Sequence, residues 1–407
     1  MGKYTGEMAS WMAARGHEVR VVTAPPYYPA WKIGAGYRSR YRTEHPEPNL
    51  TVYRCPLYVP ERPKGLRRVL HLASFAFWSL PVMMREAAWE PDVVFTVEPT
   101  LFGAPVALFA AMLAGAPAWL HVQDFEVDAA FDLRLLPAHG PVHAFALWAE
   151  RRLMRAFRRV STISAKMLER GAAKGVRSER LVLFPNWVDV EAIRPEPPGW
   201  AGNAFRRELG LVGKVVLLYS GNMGAKQGLE MLVGLAEELR REERVHLLLC
   251  GDGSFRPELE RGMAGRTNVT MLPLQPVGRL RSLLNAADVH LLPQRAGAAD
   301  LVMPSKLTGM LASGRPVVVT ADAGTQVAEV IGAGEEALGL VVPTEDAGAL
   351  AGAARRLAGD ADLRVRMGAA GRRYAVEWMG REEVLLRAER ELERIVSNVL
   401  TESETSD

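Results

Sequence analysis

Residues 285–331, NAADVHLLPQRAGAADLVMPSKLTGMLASGRPVVVTADAGTQVAEVI, constrain the fold more than any other part of the chain. The stretch opens on an apolar run, Val289-His290-Leu291-Leu292, that stops at Pro293 and gives way to a polar, Gly/Ala-rich loop. Pro304, Ser305 and Lys306 predict a helix start, proline setting φ and serine supplying a side-chain cap. That helix ends at Gly314, and Pro316-Val317-Val318-Val319-Thr320 predicts a second buried strand. The turn Asp322-Ala323-Gly324-Thr325 leads into another helix. Two strand–loop–helix units in succession specify a parallel, doubly wound α/β sheet. In such sheets ligands collect at the carboxyl ends of the strands, where helix starts offer free N–H groups to anions. Lys306 and the pair Gly324-Thr325 would face one such crevice. The plainer alternative is a capped helix with a solvated lysine.

The same alternation runs back to residue 215. A buried strand at 215–220 precedes Gly221-Asn222-Met223-Gly224-Ala225-Lys226-Gln227-Gly228 and then a helix. Glycines there let the backbone approach a diphosphate, and Lys226 can neutralise it. This loop is neither a Walker loop nor a dinucleotide fingerprint, so alone it carries little. A strand at 245–250 ends in Gly251-Asp252-Gly253, and one at 269–272 ends in Pro273-Leu274. Asp288, just before the strand at 289, is expected to cap or end a helix. The Pro-rich run at 194–199 reads as the linker between two domains.

The first half predicts a helix at 7–15, strands at 18–23, 91–98 and 118–123, and a stiff loop, Thr23-Ala24-Pro25-Pro26-Tyr27-Tyr28-Pro29. Asp124, Glu126 and Asp128 follow a strand end, where site chemistry is well placed. Residues 62–85 join a basic cluster, Arg62, Lys64, Arg67 and Arg68, to an apolar helix with Phe75, Phe77 and Trp78. This is either an interfacial helix or a core helix with a solvated basic end.

The 407 residues suit two or three domains, and a net charge of +3 gives no nucleic-acid footprint. Two distant cysteines, Cys55 and Cys250, fit buried thiols in a reduced, cytoplasmic protein better than a disulfide or metal site. No signal peptide is visible, and the apolar run at 105–120 is too short to span a bilayer.

ADLVMPSKLTGMLASGRPVVVT, SGNMGAKQGLE and FPNWVD resemble the retaining glycosyltransferases of family 4, which have the two-domain GT-B fold. Within that family the resemblance is nearest to the colanic-acid-type, WcaI-like enzymes of bacterial polysaccharide assembly. It implies two Rossmann-like doubly wound domains facing across a cleft. These would be an acceptor domain over 1–195 and a nucleotide-sugar domain over 196–378. A last helix at 379–399 would cross back to the first domain, before a disordered tail at 400–407. In similar proteins a strand and a glycine-rich loop precede the GKYTGEMA segment. The expectation is therefore that Met1 is an internal start or a truncation, and that the first sheet lacks its central strand.

The resemblance also assigns roles. Gly221, Asn222, Lys226, Ser305 and Lys306 would hold the donor diphosphate, with no obligatory metal or cofactor. Gly253, Leu274, Gly324, Thr325 and Asp300 would contact the nucleoside and sugar. Many relatives carry a histidine one residue before the aspartate; here Gln123 stands there, so Asp124 is the candidate for orienting the acceptor hydroxyl or taking its proton. His121 is the second candidate. Two glutamates common in the family are replaced by Leu301 and Gly309, which implies a different grip on the ribose. The expected reaction moves a sugar from a GDP- or UDP-sugar to a lipid-linked saccharide, with peripheral membrane contact through residues 62–85. The alternatives are a nucleotide-sugar 2-epimerase and a catalytically degenerate nucleotide-sugar-binding module.

Overall fold

A computed structural model describes residues 2–28, 30–61, 65–98, 102–125, 140–224, 227–295, 303–332, 334 and 336–404. The chain divides into two compact units, one formed by 1–185 with 385–407 and the other by 186–384. Both are Rossmann-like α/β units.

Unit 1 contains α1 (Lys3–Ala14), β1 (Val19–Thr23), β2 (Arg42–Glu47), β3 (Leu50–Arg54) and α2 (Leu66–Ala87). It continues with β4 (Val94–Glu98), α3 (Ala104–Ala114), β5 (Ala118–Val122), α4 (Pro141–Met154), β6 (Arg159–Thr162), α5 (Ala165–Ala173) and β7 (Leu181–Leu183). Its strands form two sheets, ordered β1-β3-β2 and β4-β5-β6-β7. Among the described residues, β1, β2, β4 and β7 each pair on one side only. The central strand β5 is fully buried, whereas β1, with three valines in five residues, is only half-buried along its whole length.

Helix α2 exposes an apolar stripe and buries three polar side chains. Leu66, Leu70, Phe77 and Met84 follow one another at spacings of four, seven and seven residues, which places them along one stripe, and they are 72%, 50%, 67% and 45% exposed. His71, Ser79 and Glu86 are buried on the inner side. Each has a partner there: His71 Nδ1 contacts the Tyr58 carbonyl at 2.5 Å, Ser79 donates to the Ala76 carbonyl, and Glu86 pairs with Arg20 at 2.9 Å. The core-helix alternative for residues 62–85 holds only in part: this stripe points outward, while Leu72, Phe75 and Leu80 are half-buried. Arg62 and Lys64 lie outside the described residues.

Unit 2 comprises α6 (Ala204–Glu208), β8 (Val215–Asn222), α7 (Glu230–Glu238), β9 (Val245–Asp252), α8 (Arg256–Met263) and β10 (Val269–Leu272). After these come α9 (Leu280–Ala286), β11 (Val289–Leu292), α10 (Lys306–Ala312), β12 (Val317–Thr320), α11 (Gln326–Gly332) and β13 (Gly339–Val342). The last helices are α12 (Ala347–Gly359), α13 (Ala361–Trp378) and α14 (Arg381–Glu404). From Leu385 onward α14 belongs to unit 1. It runs through Glu404, past the expected end at 399, because the chain there holds no glycine or proline to stop it.

The unit 2 strands lie in one parallel sheet, ordered β10-β9-β8-β11-β12-β13. Their sequences are continuous apolar runs because helices cover both faces. Along β8, Leu217 and Tyr219 join the cluster formed with α7, α8 and α12, while Val216 and Leu218 face α6 and α9. The division between units falls at 185/186, ahead of the Pro-rich run. That run is pinned to unit 2: Glu196 N–H donates to Asn285 Oδ1 at 2.7 Å, and Arg315 donates to the Glu196 carbonyl at 2.7 Å. Asp288 is not a cap. It is buried, accepting from Arg206 at 2.5 Å and from Val216 N–H at 2.8 Å, which ties the start of β11 to the start of β8.

Candidate active site

In unit 2 the chain lays down β8, β9 and β10 in one direction, then returns beside β8 with β11 and proceeds the other way. The carboxyl ends of β8 and β11 thus form a topological switch point, where open α/β sheets bind ligands. Loops from both strands meet there. Gly228, in the loop after β8, has φ +61° and lies so near the main chain of Gln294 that a Cβ would sit 3.2 Å from it. Thr320, at the end of β12, clamps Gln294 by accepting from its N–H at 2.8 Å and donating to its carbonyl at 2.9 Å.

Lys306 opens α10 and brings its ammonium to this point. Nζ lies 4.3 Å from the centroid of the Tyr219 ring and 3.3 Å from Tyr219 Oη. Among the described residues no carboxylate pairs with it. Burial alone pulls its pKa down from 10.5 to about 8. A desolvated ammonium without a counter-ion is a site that gains by taking an anion. Ser305, expected to cap α10, makes no side-chain cap hydrogen bond. Its own φ and ψ are helical (−61°, −24°), so its hydroxyl is not held in the extended geometry that capping uses.

The glycines beside this point are required by close backbone approach. Pairing of β8 with β9 continues through Gly221 with Gly251 and Asn222 with Asp252. A Cβ on Gly251 would lie 1.9 Å from the Gly221 carbonyl oxygen, and one on Gly253 would lie 2.5 Å from that of Met223. Gly253 thus locks two loops together in addition to any ligand contact. Gly221 has φ +135° and leaves room for the Lys306 stem. Thr325 is buried, and its hydroxyl is used locally, donating to the Asp322 carbonyl and accepting from Ala328 N–H. Gly324 precedes it with φ +84°, and Leu274 is exposed after β10. A side chain at Gly309 would meet Leu284 within 3.3 Å, so a glutamate there would require Leu284 to move. Lys226, Asp300 and Leu301 lie outside the described residues.

Two groups that sequence reading passed over belong to this point. Tyr219 reads as one more apolar residue of β8, and only the fold shows it beneath Lys306. Gln294 follows β11, and its Oε1 is buried without a hydrogen-bond partner, as is Oε1 of Gln227. The signal for Gln294 was its place directly after a strand end.

The unit 1 candidates sit at the end of β5. His121 is inside the strand and buried; Nδ1 lies 2.8 Å from Ser161 Oγ and Nε2 lies 2.9 Å from the Gln123 amide. Trp119 Nε1 donates to the same Ser161 hydroxyl at 2.8 Å. Burial drives the His121 pKa down to about 3, so the ring is neutral, and both nitrogens are engaged within the unit. This arrangement locks β5 to β6 and leaves no ring nitrogen for a substrate. Asp124 lies two residues beyond β5 and is half-buried. Glu126 and Asp128 lie outside the described residues.

Residues 1–187 match the Glycosyl transferase 4-like domain, and residues 214–360 match the Glycosyl transferases group 1 family. The chain is 44% identical over 334 residues to an Escherichia coli K12 protein named as a colanic acid biosynthesis glycosyl transferase, WcaI. That match covers 81% of this chain and 82% of the relative. The chain is a family-4 glycosyltransferase. Its fold is GT-B, which two solved structures illustrate. Sucrose-phosphate synthase from Thermosynechococcus elongatus superposes with TM-score 0.73 at 18% identity, covering 98% of this chain and 94% of that one. Anabaena Alr3699/HepE, solved with UDP-glucose, superposes with TM-score 0.62 at 15% identity, covering 81% and 84%. No helix of this glycosyltransferase, among the described residues, is long and apolar enough to cross a membrane.

Proposed function

We propose that this glycosyltransferase moves a sugar, with retention, from a GDP- or UDP-sugar to a hydroxyl of a lipid-linked saccharide in the assembly of a colanic-acid-type envelope polysaccharide. The observation that carries the donor half is the desolvated Lys306 ammonium at the β8/β11 switch point, without a carboxylate partner among the described residues. An ammonium so placed would stabilise charge developing on the leaving diphosphate, a preorganised electrostatic contribution. Lys226 is assigned to the same diphosphate from the GNMGAKQG loop, and Asp300 to the sugar. Asp124 is assigned to the acceptor hydroxyl. The polysaccharide class is taken from the name of the E. coli relative, and the nucleoside diphosphate donor is consistent with the ligand in the HepE structure.

The lipid-linked acceptor is supported by α2. Its outward apolar stripe, with Arg67 and Arg68 exposed at one end, has the chemistry of a helix lying in an anionic headgroup layer. The paired change Leu70→Ser with Phe77→Ser is expected to release the protein from phosphatidylglycerol-containing vesicles in a sedimentation assay, and high salt is expected to weaken binding of the parent protein. Equal sedimentation of parent and variant would remove the membrane contact from this reading.

The function itself is tested by screening GDP- and UDP-sugars for nucleoside diphosphate release, with and without membrane lipid extract. Acceptor-dependent release, lost in Lys226→Ala and Lys306→Ala, is the expected result. Tight donor binding without release under either condition would overturn it.

A further inference from the structure

We propose that Tyr219 is the positioning residue for Lys306, its ring and hydroxyl seating the ammonium at the end of β8 where a carboxylate would otherwise have to stand. This rests on the donor-site reading above and adds a residue to it.

Three contacts argue for it. The ammonium lies over the ring face at 4.3 Å, a cation–π distance at which desolvation strengthens the attraction. The same Nζ donates to Tyr219 Oη at 3.3 Å. The phenolic proton is directed elsewhere, to the Asn222 main-chain carbonyl at 2.5 Å. The hydroxyl therefore turns its lone pairs toward the lysine, and the hydrogen-bond roles are consistent from end to end. Tyr219 is itself 0% exposed and packed in the core of unit 2, so its ring cannot swing away.

The chemical consequence is what distinguishes this seat from an ion pair. A carboxylate would hold the lysine by neutralising it, and an incoming diphosphate would have to compete with that partner. The ring quadrupole and a neutral hydroxyl hold the ammonium while leaving its net charge for the ligand. Burial pushes the phenol pKa well up, so it adds no negative charge in ordinary buffers. No charged side chain among the described residues contributes to the Lys306 shift, which burial drives downward. The Asn222 contact also couples the lysine to the turn that follows β8.

The test measures UDP and GDP affinity by calorimetry between about pH 7 and about pH 9.5, where the terminal phosphate, with a pKa near about 6, stays ionised. In the parent protein affinity is expected to fall as pH rises through the free Lys306 pKa, about 8. Tyr219→Phe keeps the ring and removes the acceptor. It should weaken binding about tenfold and move that midpoint down by about one pH unit, because a hydrogen bond to the charged form is lost. Tyr219→Leu removes the ring too and should lower both further. A tyrosine with only a packing role would change the melting temperature and leave the midpoint alone. Binding in Tyr219→Phe with the parental affinity and midpoint overturns the proposal. Lys306→Ala separates the two readings: if it leaves UDP and GDP affinity unchanged, the donor site itself is misassigned. If it weakens binding while Tyr219→Phe does not, only the positioning role fails.

Discussion

Replacing Lys306 with methionine is expected to cut sugar transfer by about 10² to 10³-fold, the usual cost of deleting one preorganised group that stabilises transition-state charge. The same change is expected to raise the melting temperature. The two effects share one cause. Burial lowers the lysine pKa from 10.5 to about 8, which at about 1.4 kcal/mol per pH unit is a folding penalty on the order of 3 kcal/mol. Methionine fills a similar volume without a charge to desolvate. The sign follows from proton counting. Below about pH 8 folded and unfolded chains both hold the proton, and the full penalty stands. Between about 8 and 10.5 the unfolded chain holds more protons, so stability climbs with pH. Thermal melts at neutral pH should therefore show the variant several degrees more stable. At about pH 10 the difference should shrink, because the parent has by then shed its charge. A variant that melts lower at neutral pH would mean that the Tyr219 contacts outweigh the cost of burial.

Arg206→Met is expected to destabilise the protein by about 3–5 kcal/mol, because it leaves Asp288 charged in a buried setting without its partner. Arg206 is 0% exposed and Asp288 5%. The pair holds the start of β11 against the start of β8, so the damage should reach the switch point at the other end of those strands. A melting temperature lower by about 10 °C or more, with weaker donor binding, is the expected readout. Adding Asp288→Asn keeps an acceptor for Val216 N–H and removes the stranded charge. The double variant should recover much of the loss; failure to recover it would place the cost in Arg206 packing instead.

The parts of this fold that could be read from the sequence are those with local causes. β8, β9, β11 and β12 are apolar on both faces, and such runs announce themselves. Pro304 and Lys306 marked a helix start beside a strand end, and the lysine stands there. What escaped reading depends on partners far along the chain. Asp288 looked like a helix cap, because its true partner is Arg206, on another helix. His121 looked like a possible base, and only Ser161 on β6 and Gln123 reveal it as a lock. The stripe on α2 was visible as a stripe, but periodicity tells which residues share a face and not whether that face meets protein or water. Ser305 sits where a cap belongs, yet its own helical backbone angles decide the matter.

The edge strands of unit 1 have a consequence for how the protein behaves in company. Among the described residues β1, β2, β4 and β7 each pair on one side only, and any such edge that reaches solvent is a template on which a strand of another molecule can add.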